Sequence, residues 1–345
     1  MPGGKPIIGI TMGDPAGIGP EIIAKALSRR RIYSICRPIV IGHSGSMKMG
    51  IEVASAKLTV HPVKDVKEAF FKLGVIDVID LENVNLNGLE MGKPQPMGGR
   101  AAVEFIRKAV ELAISGEVSA IATAPVNKEA VNMAGIPFKG HTELLAELTG
   151  ASKYAMMLIH KPLRVAHVST HVSLREACDK VSKDRILDVL DMVDEASNWF
   201  GFERARIAVA SLNPHGGEGG LFGLEEVEEI APAVKAAQEK GMDVKGPIPA
   251  DTVFARALKG EFDFVVAMYH DQGHIPVKLL GLEGGVNLTL GLPIIRTSVD
   301  HGTAYRHARL RLGTANPASL IEAIKLAAFL CGKKGVKGEA SPNMS

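Results

Sequence analysis

Short apolar runs alternate with segments of helical period along nearly the whole chain. That alternation constrains the fold more than any single motif. The strand-like runs lie at 7–11, 38–42, 75–80, 120–124, 154–160, 165–169, 206–212 and 264–268. The helix-period segments lie at 20–30, 99–115, 183–200, 225–240 and 317–330. In the segment 99–115, Ala102, Phe105, Ile106, Ala109, Leu112 and Ala113 share one face, and Arg107, Lys108 and Glu111 the other. Strands that are apolar throughout and separated by helices call for one or two largely parallel sheets covered by helices, an α/β fold. The stretch 284–298 differs. Its β-type residues are broken by Gly291-Leu292-Pro293, which predicts a hairpin or an antiparallel crossing.

Composition narrows the function classes. The 345 residues are 46% hydrophobic and carry a net charge of +2 with acids and bases interspersed, so no nucleic-acid or membrane footprint is expected. Cys36, Cys178 and Cys331 have no paired spacing, which fits reduced thiols in a cytoplasmic protein. The start of the chain lacks the features of a signal peptide, and no apolar run is long enough to span a bilayer. The end, rich in Gly, Lys and Ser, reads as frayed.

Polar clusters recur directly after strand-like runs, where α/β proteins place ligands. The strand at 264–268 ends in Tyr269-His270-Asp271-Gln272-Gly273-His274, with Lys278 nearby. The strand at 206–212 ends in Asn213-Pro214-His215 and a run of glycines around Glu218, which reads as a flexible rim. The strand at 165–169 ends near His171. If that strand continues, His167 and His171 share a face, with His167 the more core-like of the two. Three imidazoles converging on one rim would fit a divalent metal with positions left for substrate, although such long-range spacing is not diagnostic. Gly13-Asp14-Pro15-Ala16-Gly17-Ile18-Gly19 forms a strand-to-helix turn suited to an anion, without the lysine of a P-loop. A ligand-free tight turn is the alternative. Gly140-His141-Thr142-Glu143 opens a helix, with Thr142 as an N-cap or as an anion contact beside His141. Asp251 is an N-cap candidate or a carboxylate near a metal. Lys278, Asn287 and Arg296 complete a basic and polar series suited to phosphate or carboxylate.

These motifs together resemble the 4-hydroxythreonine-4-phosphate dehydrogenase (PdxA) family over residues 6–330. The stretches that carry the resemblance are GITMGDPAGIGPEI, GHTELLA, VSTH, LNPHGGEGG, GPIPADTVF, AMYHDQG and GVNLTLGLPIIRTSVDHGTA. The resemblance implies a two-lobed isocitrate/isopropylmalate dehydrogenase-like fold with a cleft between lobes. One lobe, on the cofactor side, would hold 1–125 and 299–335, and the other, on the metal, substrate and dimer side, 126–298, with a tail at 336–345. It further implies a homodimer with shared active sites, in which His171, His215 and His270 bind one divalent metal (Zn, Mg, Co or Mn) and one of them comes from the partner. His141, Thr142, Lys278, Asn287 and Arg296 would contact a phosphorylated small-molecule substrate. Gly291, His301, Gly302, Thr303 and Asn316 would bind NAD or NADP, with Lys278 and Asp251 as candidate proton relays. The implied reaction oxidises a 3-hydroxy acid phosphorylated at C4 and releases CO2. The wording, above all YHDQGHIPVKLLG, is closest to the branch that takes D-threonate or D-erythronate 4-phosphate. The alternatives are the pyridoxal 5′-phosphate branch, which takes 4-phosphohydroxy-L-threonine, and a phosphometabolite-binding protein without redox activity. The family commonly has an acid after the HGTA stretch, whereas this chain continues Tyr305-Arg306-His307-Ala308-Arg309. That departure suits an enzyme that tolerates or prefers NADP; the alternative is that these arginines are solvated and NAD is used as in the rest of the family. His274 has no role in the resemblance. It reads as a residue supporting the ligands or as a mark of the hydroxy-acid branch.

Overall fold

The computed structural model of the chain describes residues 4–138, 140–281 and 283–334. The tail expected at 336–345 lies outside them. Among the described residues the strands are β1 (Ile7–Thr11), β2 (Arg37–Gly42), β3 (Thr59–Val63), β4 (Val75–Asp80), β5 (Ala120–Thr123), β6 (Ala155–His160), β7 (Leu163–His167), β8 (Arg206–Ala210), β9 (Asp243–Ile248), β10 (Phe264–Ala267), β11 (Val286–Leu290) and β12 (Arg296–Val299). No helix among these residues is long and apolar enough to cross a membrane.

The chain divides into two compact units. The first joins the N-terminal 151 residues to Leu292–Gly332, and the second is Ser152–Gly291. The divisions follow the helix His141–Thr149 and precede β12. His141, Thr142 and Arg296 therefore belong to the first unit.

In the first unit the strand order is β3-β4-β2-β1-β5-β12, and every pair is parallel. Central β1 and β5 are almost wholly buried, as continuous apolar strands covered on both faces must be. The helix Pro96–Ile114 buries Ala102, Phe105, Ile106, Ala109 and Leu112, as its periodicity predicts, and starts at a proline that needs no helical N–H partner. Gly99 lets it approach the helix Lys128–Met133 closely, since a Cβ there would lie 2.1 Å from the Ala130 carbonyl oxygen.

In the second unit the order is β11-β6-β7-β10-β8-β9. β7, β10, β8 and β9 run parallel, while β6 pairs antiparallel with both β7 and β11. The antiparallel crossing expected after residue 284 is thus β11 against β6. The core of this unit gathers Leu158, Val165, Ala208, Phe254, Phe262, Val265 and Val277.

Three local expectations change. β7 ends at His167, so His171 follows in a turn and shares no strand face with it. The helix expected at 225–240 is a π-helical turn, Glu226–Ile230, followed by the helix Ala231–Glu239. Pro232, without an N–H, marks the change. The polar cluster after β10 is the opening of a helix, His270–Leu279. Gly273 and Pro276 lower its helical propensity and hide it from the sequence pattern.

Candidate functional site

The helix His270–Leu279 gathers the polar residues of the second unit. Its entry is held by Gln272, whose side-chain oxygen accepts the Met268 N–H at 2.7 Å while its amide donates to the Ser211 carbonyl at 2.7 Å. The ends of β10 and β8 are thereby tied together. At the head of the helix, His270 Nδ1 meets Asp271 Oδ1 at 2.6 Å. A carboxylate only accepts, so Nδ1 carries the proton and donates in this bond, which leaves the lone pair on Nε2. The His171 ring lies 6.0 Å from the His270 ring, centroid to centroid. Behind them, His274 stacks on His270 at 3.7 Å, and its ring centre lies 4.7 Å from that of His167. Burial is the largest influence on both inner rings. It lowers His167 to about 3 and His274 to about 4, so both are neutral at neutral pH. His171 and Lys278 are close enough to act electrostatically on His274, which puts Lys278 within range of the histidine group.

His215 does not join this group. It sits in a turn, Pro214–Gly220, whose residues from His215 to Gly219 all have left-handed backbone angles. His215 (φ 55°) and Glu218 (φ 46°) accept conformations that favour glycine. The rim read as flexible is therefore a defined left-handed turn. Glu226 fixes it, accepting the Leu212 and Asn213 N–H groups at 2.8 and 2.7 Å. The His215 side chain is exposed, with exposed Leu221, Phe222, Leu224 and Val227 close to it in sequence. Among the described residues, no three metal-ligating side chains converge within one chain. Within one copy the His171 and His270 rings approach each other, and His215 lies in an exposed left-handed turn.

Other expected residues take these places. Asp251 is exposed in the first turn of the helix Ala250–Leu258, whose N-cap is Pro249 rather than Asp251. Asn287 lies on β11 opposite Leu158, and its Oδ1 is buried without a hydrogen-bond partner among the described residues. Gly291 has φ 80°, and a Cβ there would lie 2.2 Å from the Lys153 carbonyl oxygen, which explains a glycine without a cofactor.

In the first unit, Arg296 is 1% exposed and donates to Thr123 Oγ1 at 2.7 and 3.2 Å. Burial pulls its guanidinium down to about 9, against the opposing charge of Glu143. His141 opens the helix His141–Thr149 after Gly140, and Thr142 is buried inside the first turn rather than capping it. His141 Nε2 is buried with no partner among the described residues. Burial, then Arg296 and Lys128, hold the ring neutral. A buried cation beside a neutral imidazole suits an oxyanion.

The Gly13–Gly19 turn packs on the 301–305 stretch. Ile18 N–H donates to the Thr303 carbonyl at 3.1 Å, and Tyr305 Oη donates to Asp14 Oδ2 at 2.6 Å. A Cβ on Gly17 would approach the Thr303 Cβ to 3.0 Å. Burial raises Asp14, while its bonds to Tyr305 and Ala16 oppose that shift. A recess beside this turn is bounded by Pro15, Gly17, Glu21, Ser46 and Arg311. Gly302 faces open space. His301 Nε2 is buried without a partner among the described residues. Asn316 accepts the Ala318 N–H at 2.9 Å, a capping role at the last helix.

The sequence pattern did not mark Asp271 as the partner of His270 Nδ1, and left His274 between a supporting role and a mark of the hydroxy-acid branch. The place of His274 follows once 270–279 is read as a helix, because residues four apart then share a face.

The chain matches the family described as "Pyridoxal phosphate biosynthetic protein PdxA" over residues 34–327. It is 47% identical over 324 residues to a Clostridium botulinum protein provisionally named D-threonate 4-phosphate dehydrogenase, covering 94% of this chain and 96% of that one. A solved 4-hydroxythreonine-4-phosphate dehydrogenase from Klebsiella pneumoniae superposes with a TM-score of 0.86 at 46% identity, covering 95% of this chain and all of that one (100%). A β-decarboxylating dehydrogenase from Thermococcus kodakarensis, at 13% identity and a TM-score of 0.51 over 96% of this chain and 84% of that one, shares the fold. By the extent of these matches, the chain belongs to the PdxA family.

Proposed function

We propose that this chain is a metal-dependent dehydrogenase that oxidises the C3 hydroxyl of a four-carbon acid phosphorylated at C4, with NAD or NADP as hydride acceptor and loss of CO2. The observation that carries the reading is the His171–His270 pair, with His270 Nδ1 engaged by Asp271 and a cation, Lys278, on the same helix. A divalent metal held there would act as a Lewis acid toward the substrate oxygen. His215 of a second copy would supply the third imidazole. The exposed apolar residues at 221–227 beside it suit burial against that copy, which makes a homodimer with shared sites part of the proposal.

The protein's own groups divide the remaining work. Lys278 offers a charge to the substrate carboxylate or a proton during its loss. Asp251, exposed at a helix start, is the other candidate for proton transfer. Arg296, His141 and Thr142 bind oxyanions of the substrate, and Asn287 contributes a buried acceptor for a substrate hydroxyl. Similarity to the Clostridium protein and the wording of the 269–281 stretch favour a hydroxyl at substrate C2, that is D-threonate or D-erythronate 4-phosphate. The Klebsiella structure supports the alternative, 4-phosphohydroxy-L-threonine. Within this reading the first unit carries the nucleotide on the His301, Gly302, Thr303 and Asn316 side, and the enzyme works in the cytoplasm.

The test is absorbance at 340 nm with D-threonate 4-phosphate, D-erythronate 4-phosphate and 4-phosphohydroxy-L-threonine, each with NAD and NADP. Metal-dependent turnover of a C2-hydroxy substrate with equimolar CO2 supports the reading. Turnover of the amino substrate alone moves the enzyme to the other branch. No reduction of either nucleotide by any of these substrates overturns the dehydrogenase assignment.

A further inference from the structure

We propose that His274 and His167 form a two-imidazole brace that positions His270, with His274 setting the plane of the His270 ring from its buried side. The inference rests on the proposed role of His270 as a metal ligand.

The argument starts from His167, on the last residue of β7 and 1% exposed. Its Nδ1 lies 3.2 Å from the Met156 carbonyl oxygen. A carbonyl only accepts, so Nδ1 carries the proton and Nε2 presents a lone pair. That lone pair is 3.1 Å from His274 Nδ1, which must therefore donate. The same Nδ1–H lies 3.0 Å from the His270 carbonyl oxygen, one helical turn back. Two acceptors fix the tautomer and the ring plane of His274. The His270 ring lies against the face of that plane, 3.7 Å away and tilted by only 10°.

Two further observations show that this arrangement is built in. Gly273 leaves room for His167 under the helix, because a Cβ there would fall 2.3 Å from His167 Nε2 and 2.8 Å from Val165 Cγ1. The other restraint on His270 comes from Asp271, whose side chain is 70% exposed. An exposed carboxylate restrains one ring edge but does not define the plane of the ring. The buried stack defines it, and a ligand held in one orientation binds metal more tightly.

The experiment measures Co2+ affinity of the full-length protein by competition with a chromophoric chelator, beside kcat and KM. His270→Ala comes first. Should it bind Co2+ as the wild type does, His270 is no ligand, and the reading beneath this inference fails with it. With that loss established, His167→Leu is expected to weaken Co2+ binding about tenfold, within the range for residues that orient ligands. His167→Gln, whose amide replaces both the acceptor for His274 and the donor to Met156, should restore affinity. His274→Phe keeps a ring but loses the tether, and should also weaken binding about tenfold. A role in packing alone would make His167→Leu at least as good as His167→Gln. Equal affinity of those two variants, or wild-type affinity in His274→Phe, overturns the brace. Loss in His274→Phe as complete as in His270→Ala makes His274 a ligand rather than a positioning residue, and overturns it too.

Discussion

Acid should destabilise this protein in part through His167, and the share of that one residue can be worked out. The ring is 1% exposed, and burial with the neighbouring His274 lowers it from an ordinary 6.5 to about 3, against the stabilising effect of the Met156 carbonyl. A histidine lowered in the folded state costs nothing above its unfolded pKa. Below that value the unfolded chain takes up a proton that the folded chain refuses. Stability is therefore lost as pH falls from about 6.5 towards about 3. Each pH unit in that window costs about 1.4 kcal/mol, so at about pH 5 the loss from His167 alone is about 2 kcal/mol. His167→Gln keeps a donor to Met156 and an acceptor for His274 but does not titrate. Urea unfolding of metal-free wild type and variant, at about pH 7.5 and about pH 5, isolates the difference from every other acid-sensitive group. The wild type should lose about 2 kcal/mol more than the variant over that interval. Equal losses would show that His167 is protonated in the folded state, and would refute the geometry that makes its Nε2 an acceptor.

Three further outcomes follow from particular contacts. Gly291→Ala should lower stability by about 2 kcal/mol or more, seen as a fall in Tm without loss of nucleotide affinity in the protein that folds, since φ 80° and the Lys153 carbonyl both oppose a Cβ. Arg296→Gln should raise substrate KM about tenfold or more, as removal of a charged hydrogen-bond donor does. An unchanged KM in the variant would refute the role. Along 301–311 no acid faces a ribose diol, while Arg306 and Arg309 are exposed and Arg311 borders the recess. The acid in that recess, Glu21, is engaged by Lys25 at 2.7 Å and by the Ala315 N–H at 2.9 Å. NADP should therefore give the higher kcat/KM, Arg311→Glu should reverse the preference, and calorimetry with 2′,5′-ADP against ADP should show the same order.

Much of the fold was legible from residues near one another in sequence. β1 and β4 match their expected limits, and the helix Pro96–Ile114 buries the face its apolar spacing marks. Short-range pattern suffices there, because a strand or helix buried on a predictable face carries its own period. Shorter elements escaped. β3 alternates weakly and is half exposed, and β9 contains Gly246 and Pro247. The helix at 270–279 was hidden by Gly273 and Pro276, whose presence is explained only by what lies against them, as His167 lies against Gly273.

Residue types and order alone determined an α/β chain with three histidines following three apolar strands, basic residues suited to a phosphate, and membership of a recognisable family. Tertiary structure decided which of those residues meet. His171 approaches His270 because β7 and β10 are parallel neighbours. His215, after β8, sits in a left-handed turn with its side chain exposed. His274 Nδ1 donates to His167 Nε2, 107 residues away in sequence, because Gly273 has no side chain to block the approach. Periodicity reports which way a side chain faces its own sheet or helix. It carries no information about which distant side chain stands opposite, since that depends on strand order and register, which long-range packing sets.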